Sequence, residues 1–268
     1  MKTKRLPAQR NEAGGFTLVE LLTVVAVIGV LAAALLPVLG RAKAQSQSTV
    51  CKNHLNQTGH AMTMYLSDNN RYPSTLGDDG AGFQTWADRL NPYNPINWTN
   101  TSWHCPTYIA NKGLVEFQKP PPGGGEMVCR TSYSYNALGI SGLGAPRITG
   151  PRLGLGFFPR STPRDQQVLA PAETYAVADA RPSWDQNAAG FGGREWMNPY
   201  RLFPAGFAYT EAAPPHSQGY NMLFCDAHVA QVKRKDYLFP PRSAHDWNRD
   251  NQPHPELWAP ASQWEVQN

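Results

Sequence analysis

Apolar residues form one continuous block near the start of the chain. From Phe16 to Leu39 the sequence runs for 24 residues, and Glu20 is the only charged residue among them. A helix of this length crosses about 30 Å of hydrocarbon, so the block predicts a membrane-spanning helix. An ionised carboxylate in hydrocarbon costs about 3 kcal/mol, so Glu20 indicates a partner or a function. The alternative is a simple anchor in which the Glu20 carboxylate reaches the nearby membrane interface.

Beyond Pro37 the apolar residues recur at the spacing of an amphipathic helix. Residues 41–67 contain no proline, and their apolar positions are spaced to share one helical face: Cys51, Leu55, Met62, Tyr65 and Leu66. We therefore expect the helix to continue and to pack this face on a globular body. It should end at Asp68-Asn69-Asn70, because asparagine tolerates the left-handed conformation and Pro73 blocks continuation.

Residues 71–268 contain all but two of the 24 prolines. This density disfavours long helices and central strands, so we expect short antiparallel strands joined by long ordered loops. Three segments are the best strand candidates: Thr174–Ala178, Tyr220–Cys225 and Val229–Lys233. The last two are separated by Asp226-Ala227-His228, which predicts a β-hairpin. The predicted fold class is α+β.

The formal net charge of +4 is concentrated near the N-terminus. Residues 1–15 hold four of the 24 basic residues and one of the 20 acidic residues, so the rest of the chain is nearly neutral. No basic stripe with interleaved aromatic residues follows, and nucleic acid is not an expected partner. The basic flank predicts that residues 1–15 lie in the cytoplasm and that the chain beyond residue 40 lies outside it.

The stretch Gly14-Gly15-Phe16-Thr17-Leu18-Val19-Glu20 resembles the processing signature of type IV prepilins and type II secretion pseudopilins. The resemblance implies that a prepilin peptidase cleaves after Gly15 and that the new N-terminal Phe16 is methylated. It also implies that Glu20 pairs with the Phe16 amine of a neighbouring subunit and sets the register of assembly. Pro37 matches the proline that the family carries within this helix.

The resemblance further implies a domain organisation and a function. The fold would be a pilin-like lollipop, with a long N-terminal helix packed on a loop-rich antiparallel β-sheet body. Its parts would be a leader peptide (1–15), a transmembrane and assembly helix (16–39), a continuation of that helix onto the body (40–70) and the globular domain (71–268). The chain would be a structural subunit without cofactor or enzymatic activity. It would span the inner membrane once before assembly, with its body in the periplasm or at the cell surface, and its partners would be copies of itself or other pilin-like subunits.

A second stretch, residues 216–229, resembles the "H-x9-DG" signature of prepilin-like proteins common in planctomycetes and verrucomicrobia. His216 and Asp226 fit the signature, whereas Ala227 replaces its usual glycine. The replacement predicts either a turn without positive φ at residue 227 or a strained one. Further segments resemble landmarks of the same group: residues 51–57, Cys105-Pro106 and residues 132–136.

The signature residues allow two chemical interpretations. His216, Asp226 and His228 could form a metal site, because imidazole and carboxylate suit Zn²⁺ and residues two apart on a strand face the same way. The favoured interpretation is structural: Asp226 caps the hairpin turn and His216 hydrogen-bonds to it across the hairpin. No bound metal is therefore expected at these residues.

The chain has four cysteines, and an exported protein meets an oxidising compartment that favours disulfides. We expect Cys105 to pair with Cys129 around the loop that contains Pro-Pro-Pro-Gly-Gly-Gly, which leaves Cys51 to pair with Cys225. Buried free thiols are the alternative. The absence of a C-x-x-C spacing argues against a zinc ribbon.

Two other functions are compatible with the sequence. One is a monomeric, membrane-anchored extracytoplasmic binding protein that uses some of the eight tryptophans to bind polysaccharide. The other is a tethered hydrolase built on the signature histidines and Asp226, although the chain lacks a G-x-S-x-G nucleophile motif. In a loop-rich body, tryptophans more often form small core clusters, which disfavours the first alternative.

Overall fold

The protein is described from a computed structural model. The structure describes residues 17–74, 76–78, 83–95, 103–107, 133–137, 139, 153–156, 159–179, 216, 219–233, 236 and 240–257. The chain divides into two compact units, Met1–Lys43 and Ala44–Asn268.

The first unit contributes the N-terminal part of helix α1, Leu18–Asn69, which is 52 residues long and contains Pro37. In this part the large apolar side chains are exposed, from 80% for Leu18 to 49% for Val24. By length and composition the helix could cross a membrane. Its surface is therefore apolar on every side, which is the pattern of a helix that is buried in lipid or among other helices.

Within the second unit, α1 buries one face of the helix. The buried positions recur three and four residues apart: Ser48, Cys51, His54, Leu55, Thr58, Gly59, Ala61 and Met62. Tyr65 and Leu66 pack against the same core, so the predicted apolar face is confirmed. The predicted helix end is also confirmed, because Asn70 adopts a φ of 51° and its N–H donates to the Leu66 carbonyl at 2.8 Å.

The body contains a four-stranded antiparallel sheet in the order β3-β4-β5-β6. Its strands are Tyr133–Tyr135 (β3), Tyr175–Asp179 (β4), Tyr220–Phe224 (β5) and Val229–Val232 (β6). β5 and β6 form the predicted hairpin, with Leu223 opposite Val229. The long N-terminal helix and the antiparallel sheet confirm the predicted α+β class.

Three shorter elements accompany the sheet. Strands β1 (Leu76–Asp78) and β2 (Phe83–Thr85) form a separate antiparallel pair. Helix α2 (Trp86–Leu90) follows β2 directly and begins with a capping box between Thr85 and Asp88. Helix α3 (Pro240–Trp247) lies in the C-terminal part of the chain.

The sheet separates two apolar clusters, because successive side chains of a strand point to opposite faces. Leu223 belongs to the cluster that includes Leu55 of α1 and Trp86 of α2. Met222 belongs to the cluster on the other face, which includes Trp247 of α3. The described tryptophans are therefore core residues or, like Trp103, pack against the core.

The β5–β6 turn contains strained backbone at Ala227, whose φ is 72°. A left-handed conformation is costly for a residue with a side chain, so the strained alternative is confirmed. The turn packs closely on α1 at Gly59. A Cβ at residue 59 would lie 2.8 Å from Leu223 Cδ1 and 3.2 Å from Ala227 Cβ, so a larger residue there would require Leu223 to shift.

Candidate functional site

The start of α1 is stabilised by a reciprocal pair of side chains, Thr17 and Glu20. The Thr17 N–H and hydroxyl both donate to Glu20 Oε2 at 2.8 Å. In return, the Glu20 N–H donates to Thr17 Oγ1 at 3.2 Å. This is a capping box, and its T-x-x-E pattern is visible in the sequence, although the sequence analysis above did not use it. Within the described residues, Glu20 Oε1 accepts no hydrogen bond.

The other residues of the processing motif, Gly14, Gly15 and Phe16, lie outside the described residues. The structure therefore gives the position of Glu20 in the first turn of an exposed apolar helix but not that of the cleavage point. The roles of Glu20 in assembly and of Gly15 in processing stay predictions.

The predicted hydrogen bond between His216 and Asp226 is wrong. His216 Nε2 lies 2.9 Å from Asp179 Oδ2, whereas Asp226 Oδ1 accepts from the His228 N–H at 3.1 Å and lies 2.6 Å from His228 Nδ1. The physical reason is that β5 lies between His216 and Asp226, and its five residues span about 14 Å at a rise of 3.4 Å per residue. The same separation excludes a metal site formed jointly by these two residues and His228.

A buried cluster of polar side chains surrounds His216. Cys51 comes from α1, Asp179 ends β4, and Cys105 and His216 come from segments outside the strands. The Cys105 Sγ and His216 Nε2 atoms are 3.7 Å apart. The sulfurs of Cys51 and Cys105 and a ring nitrogen of His216 all lie within 4.8 Å of one another. These four residues define what we call the Cys-His cluster.

Backbone and side-chain donors hold Asp179 in place. The Asn221 N–H donates to Asp179 Oδ1 at 2.7 Å, and Asn221 Nδ2 donates to Oδ2 at 2.8 Å. Asn221 points toward α1, where the Ser48 hydroxyl donates to its Oδ1 at 3.3 Å. These contacts hold the Asp179 carboxylate between the sheet and α1.

The electrostatics of the Cys-His cluster follow from its burial. Burial raises the pKa of Asp179 to about 7, against the lowering effect of its hydrogen bond with His216. Burial lowers the pKa of His216, but the hydrogen bonds with Asp179 and Cys105 outweigh it and raise the pKa to about 9. The contact with Cys105 and burial both raise the pKa of the Cys51 thiol. The 2.9 Å contact of His216 Nε2 with Asp179 Oδ2 needs one proton between the two atoms, which the pair shares.

The predicted disulfide between Cys51 and Cys225 is wrong. Both residues are buried free thiols, and they lie in different surroundings. Cys51 neighbours Cys105, whereas the Cys225 thiol contacts Tyr72. Cys129 lies outside the described residues, so its predicted pairing with Cys105 stays a prediction.

Residues 10–36 match the family model described as the prokaryotic N-terminal methylation motif. The chain is also 40% identical over 95 residues to the type II secretion system core protein G of Pseudomonas aeruginosa. The aligned segment covers 35% of this chain and 65% of that protein. It is 47% identical over 64 residues to the type IV wide pilus major component PilA4 of Thermus thermophilus. This alignment covers 24% of the chain and 49% of that protein. These similarities support a prepilin-like or pseudopilin-like protein.

The similarity of the chain to known proteins is partial. The type II secretion system core protein G of Aeromonas hydrophila is 34% identical over 67 residues, or 47% of its length. The chain thus spans between about half and 65% of the length of these curated relatives. No solved structure matches the chain significantly. Membership of the narrower "H-x9-DG" group stays a prediction.

Asp179 is the residue of the Cys-His cluster that the sequence analysis missed. The predicted strand ended one residue earlier, at Ala178. The available signal was an acidic residue at the end of a wholly apolar strand, where a buried carboxylate needs a partner. The methylation motif gives no information about this residue, because it covers residues 10–36.

Proposed function

We propose that the chain is a structural subunit of a type IV pilus-like filament or of a type II secretion pseudopilus. The observation that carries the proposal is the exposed apolar surface of α1, which begins within the methylation motif. A contiguous apolar surface of this size needs lipid or a protein partner to cover it. Lipid would cover it while the chain spans the inner membrane once, and the helices of other subunits would cover it in the filament.

In this proposal the chain is made with a leader (1–15), which the prepilin peptidase removes after Gly15. Methylated Phe16 then begins the assembly helix (16–39). Residues 40–70 continue it onto the body, and residues 71–268 form a domain in the periplasm or at the cell surface. The partners are copies of this chain or other pilin-like subunits.

Glu20 is proposed to set subunit register by pairing with the Phe16 amine of a neighbour. The capping box occupies Oε2, so Oε1 is the oxygen available to a cation from another subunit. An opposite charge within a few ångströms is strongly attractive in a low-dielectric helical bundle. A capped carboxylate is also less costly in the membrane, because its own helix supplies two hydrogen bonds before assembly.

Processing is tested by mass spectrometry of the chain extracted from membranes of cells that contain the peptidase. We expect an N-terminus at methylated Phe16, and an intact Met1 would contradict the proposal. Gly15→Leu should block cleavage, whereas Gly14→Leu, the matched control, should leave it intact. Equal cleavage of both variants would argue against Gly15 as the processing residue.

Assembly is tested by separating the charge of Glu20 from its capping role. Glu20→Gln keeps an acceptor for the capping box but removes the charge, so we expect normal processing and no incorporation into sheared fibres. Thr17→Val removes the hydroxyl cap, at a cost of about 1 kcal/mol of helix stability, but keeps the charge, so fibres should form. If Glu20→Gln forms fibres and Thr17→Val does not, the role of Glu20 is helix capping and not charge pairing.

The polysaccharide-binding alternative receives no support from the described tryptophans. Trp86 and Trp247 are fully buried, and Trp103 packs against the core. They do not offer an exposed aromatic platform in the part of the chain that the structure describes.

A further inference from the structure

The Cys-His cluster brings three metal-ligand side chains, those of Cys51, Cys105 and His216, to one buried point, and Asp179 lies against His216. Cys51, Cys105, Asp179 and His216 are each at most 5% exposed. Cys105 and His216 are 111 residues apart in the chain. A disulfide would account for two nearby cysteines, but it would not require a histidine and a carboxylate beside them. His216 and Asp179 instead pair with each other beside the two thiols.

The separation of Cys105 and His216 is close to that of two ligands in a tetrahedral metal site. Ligands at about 2.3 Å for sulfur and about 2.0 Å for nitrogen lie about 3.5 Å apart at a tetrahedral angle. The measured separation of Cys105 Sγ and His216 Nε2 is 3.7 Å. An oxygen and a nitrogen ligand would lie about 3.3 Å apart. Asp179 Oδ2 and His216 Nε2 are 2.9 Å apart, so they must separate by a few tenths of an ångström. Asp179 must also move toward the sulfurs, because it lies outside the group of ligand atoms that are within 4.8 Å of one another.

The ligand types select the metal. Thiolates and imidazole favour Zn²⁺ over hard cations such as Mg²⁺ and Ca²⁺, which prefer oxygen ligands. A set of two sulfurs, one nitrogen and one carboxylate oxygen completes a four-coordinate shell, which is typical of structural and not catalytic zinc.

Neighbouring groups already orient two of the ligands. Asn221 donates two hydrogen bonds to Asp179, at 2.7 and 2.8 Å. The second ring nitrogen of His216, Nδ1, lies 3.4 Å from Thr107 Oγ1, so it can donate while Nε2 binds a metal. Such outer contacts fix the tautomer and the direction of metal ligands in known sites.

We propose that Cys51, Cys105, Asp179 and His216 bind one Zn²⁺ as a closed structural site. Binding releases to solvent the two thiol protons and the proton that His216 and Asp179 share. The ion would join α1 to the segment of Cys105 and to the start of the β5–β6 hairpin. It would thereby close long loops that are rich in proline and glycine. A metal cross-link that closes a long loop gives the largest gain in stability, because it removes the most loop-closure entropy. This site is independent of the proposed filament function.

The test uses the full chain, purified in detergent without chelator. Elemental analysis should find about one zinc per chain, and Co²⁺ added to chelator-treated protein should give the visible absorption of a tetrahedral thiolate site. Cys105→Ser and His216→Ala should lose at least nine-tenths of the bound zinc. Cys225→Ser and His228→Ala are the matched controls and should retain it, because Cys225 is buried elsewhere and His228 is exposed.

A second measurement keeps the test decisive if the variants fail to fold. Chelator should lower the melting temperature of the unmodified chain, and Zn²⁺ should restore it. Alkylation of Cys51 and Cys105 should be slow with zinc and fast after chelation. A disulfide at Cys51 or Cys105 in the native protein, including the predicted Cys105–Cys129 bond, would overturn the proposal. So would a metal-free chain that gives no Co²⁺ spectrum, or full zinc retention in the Cys105 and His216 variants.

Discussion

Asn136 connects three segments of the body, and its replacement should be strongly destabilising. Its Nδ2 donates to the carbonyls of Tyr175 at 2.8 Å and Trp247 at 2.9 Å, and its Oδ1 accepts from the Gly139 N–H at 3.1 Å. The side chain is fully buried, so water cannot replace it. At about 0.5–1.5 kcal/mol for each bond, Asn136→Ala should lower the free energy of unfolding by about 1.5–4.5 kcal/mol.

The assay is urea denaturation of the full chain in detergent, with tryptophan fluorescence as the signal that monitors unfolding. Asn136→Asp should be less stable than Asn136→Ala, because a carboxylate cannot donate to the two carbonyls and its charge would be buried. Asn69→Ala is the matched control: its exposed Nδ2 also donates to a carbonyl, that of Tyr65, and the loss should stay within about 0.5 kcal/mol. A loss in Asn136→Ala no larger than in this control would refute the reasoning.

Two further stability predictions concern the contact of the β5–β6 turn with α1, and thermal melts check both. Ala227→Gly should stabilise the chain by up to about 1 kcal/mol, because relief of about 1–2 kcal/mol of strain at φ 72° exceeds the extra entropy that glycine loses; a lower melting temperature would contradict this. Gly59→Ala should cost about 1–3 kcal/mol, because the new Cβ would lie 2.8 Å from Leu223 Cδ1; unchanged stability would show that the contact relaxes freely.

The features that the sequence predicted correctly depend on local signals. The end of α1 follows from asparagines before a proline, and the hairpin follows from two apolar runs around a short polar turn. The buried face of α1 follows from spacing by three and four residues. Each signal lies within a few residues of the structure that it specifies, so tertiary contacts did not need to be known.

The Cys-His cluster could not be predicted in this way. Its ligands lie at positions 51, 105, 179 and 216, so no short motif contains two of them. The cysteine pairing was inferred from loop length and by elimination. In the structure the neighbours of Cys51 are Cys105 and His216, two residues that are distant in the sequence and that pack near α1 in the fold. The length of a loop does not specify such tertiary contacts.

The spacing between His216 and Asp226 has a structural explanation that differs from direct contact. His216 forms a bridge with Gly219 just before β5, and Asp226 accepts a hydrogen bond in the turn just after Phe224 ends that strand. The spacing between His216 and Asp226 therefore corresponds to the length of the five-residue strand β5 plus the short segments before and after it. The two residues should therefore contribute to stability independently.

A double-mutant cycle tests this independence. His216→Ala and Asp226→Ala should have additive effects on the free energy of unfolding, within about 0.5 kcal/mol, because the residues are separated by more than about 10 Å. As a positive control, His216→Ala and Asp179→Asn should couple by more than about 0.5 kcal/mol, because their side chains are 2.9 Å apart. Coupling between His216 and Asp226 equal to that of the control pair would mean that the two ends of β5 act as one unit, and the explanation of the spacing would then fail.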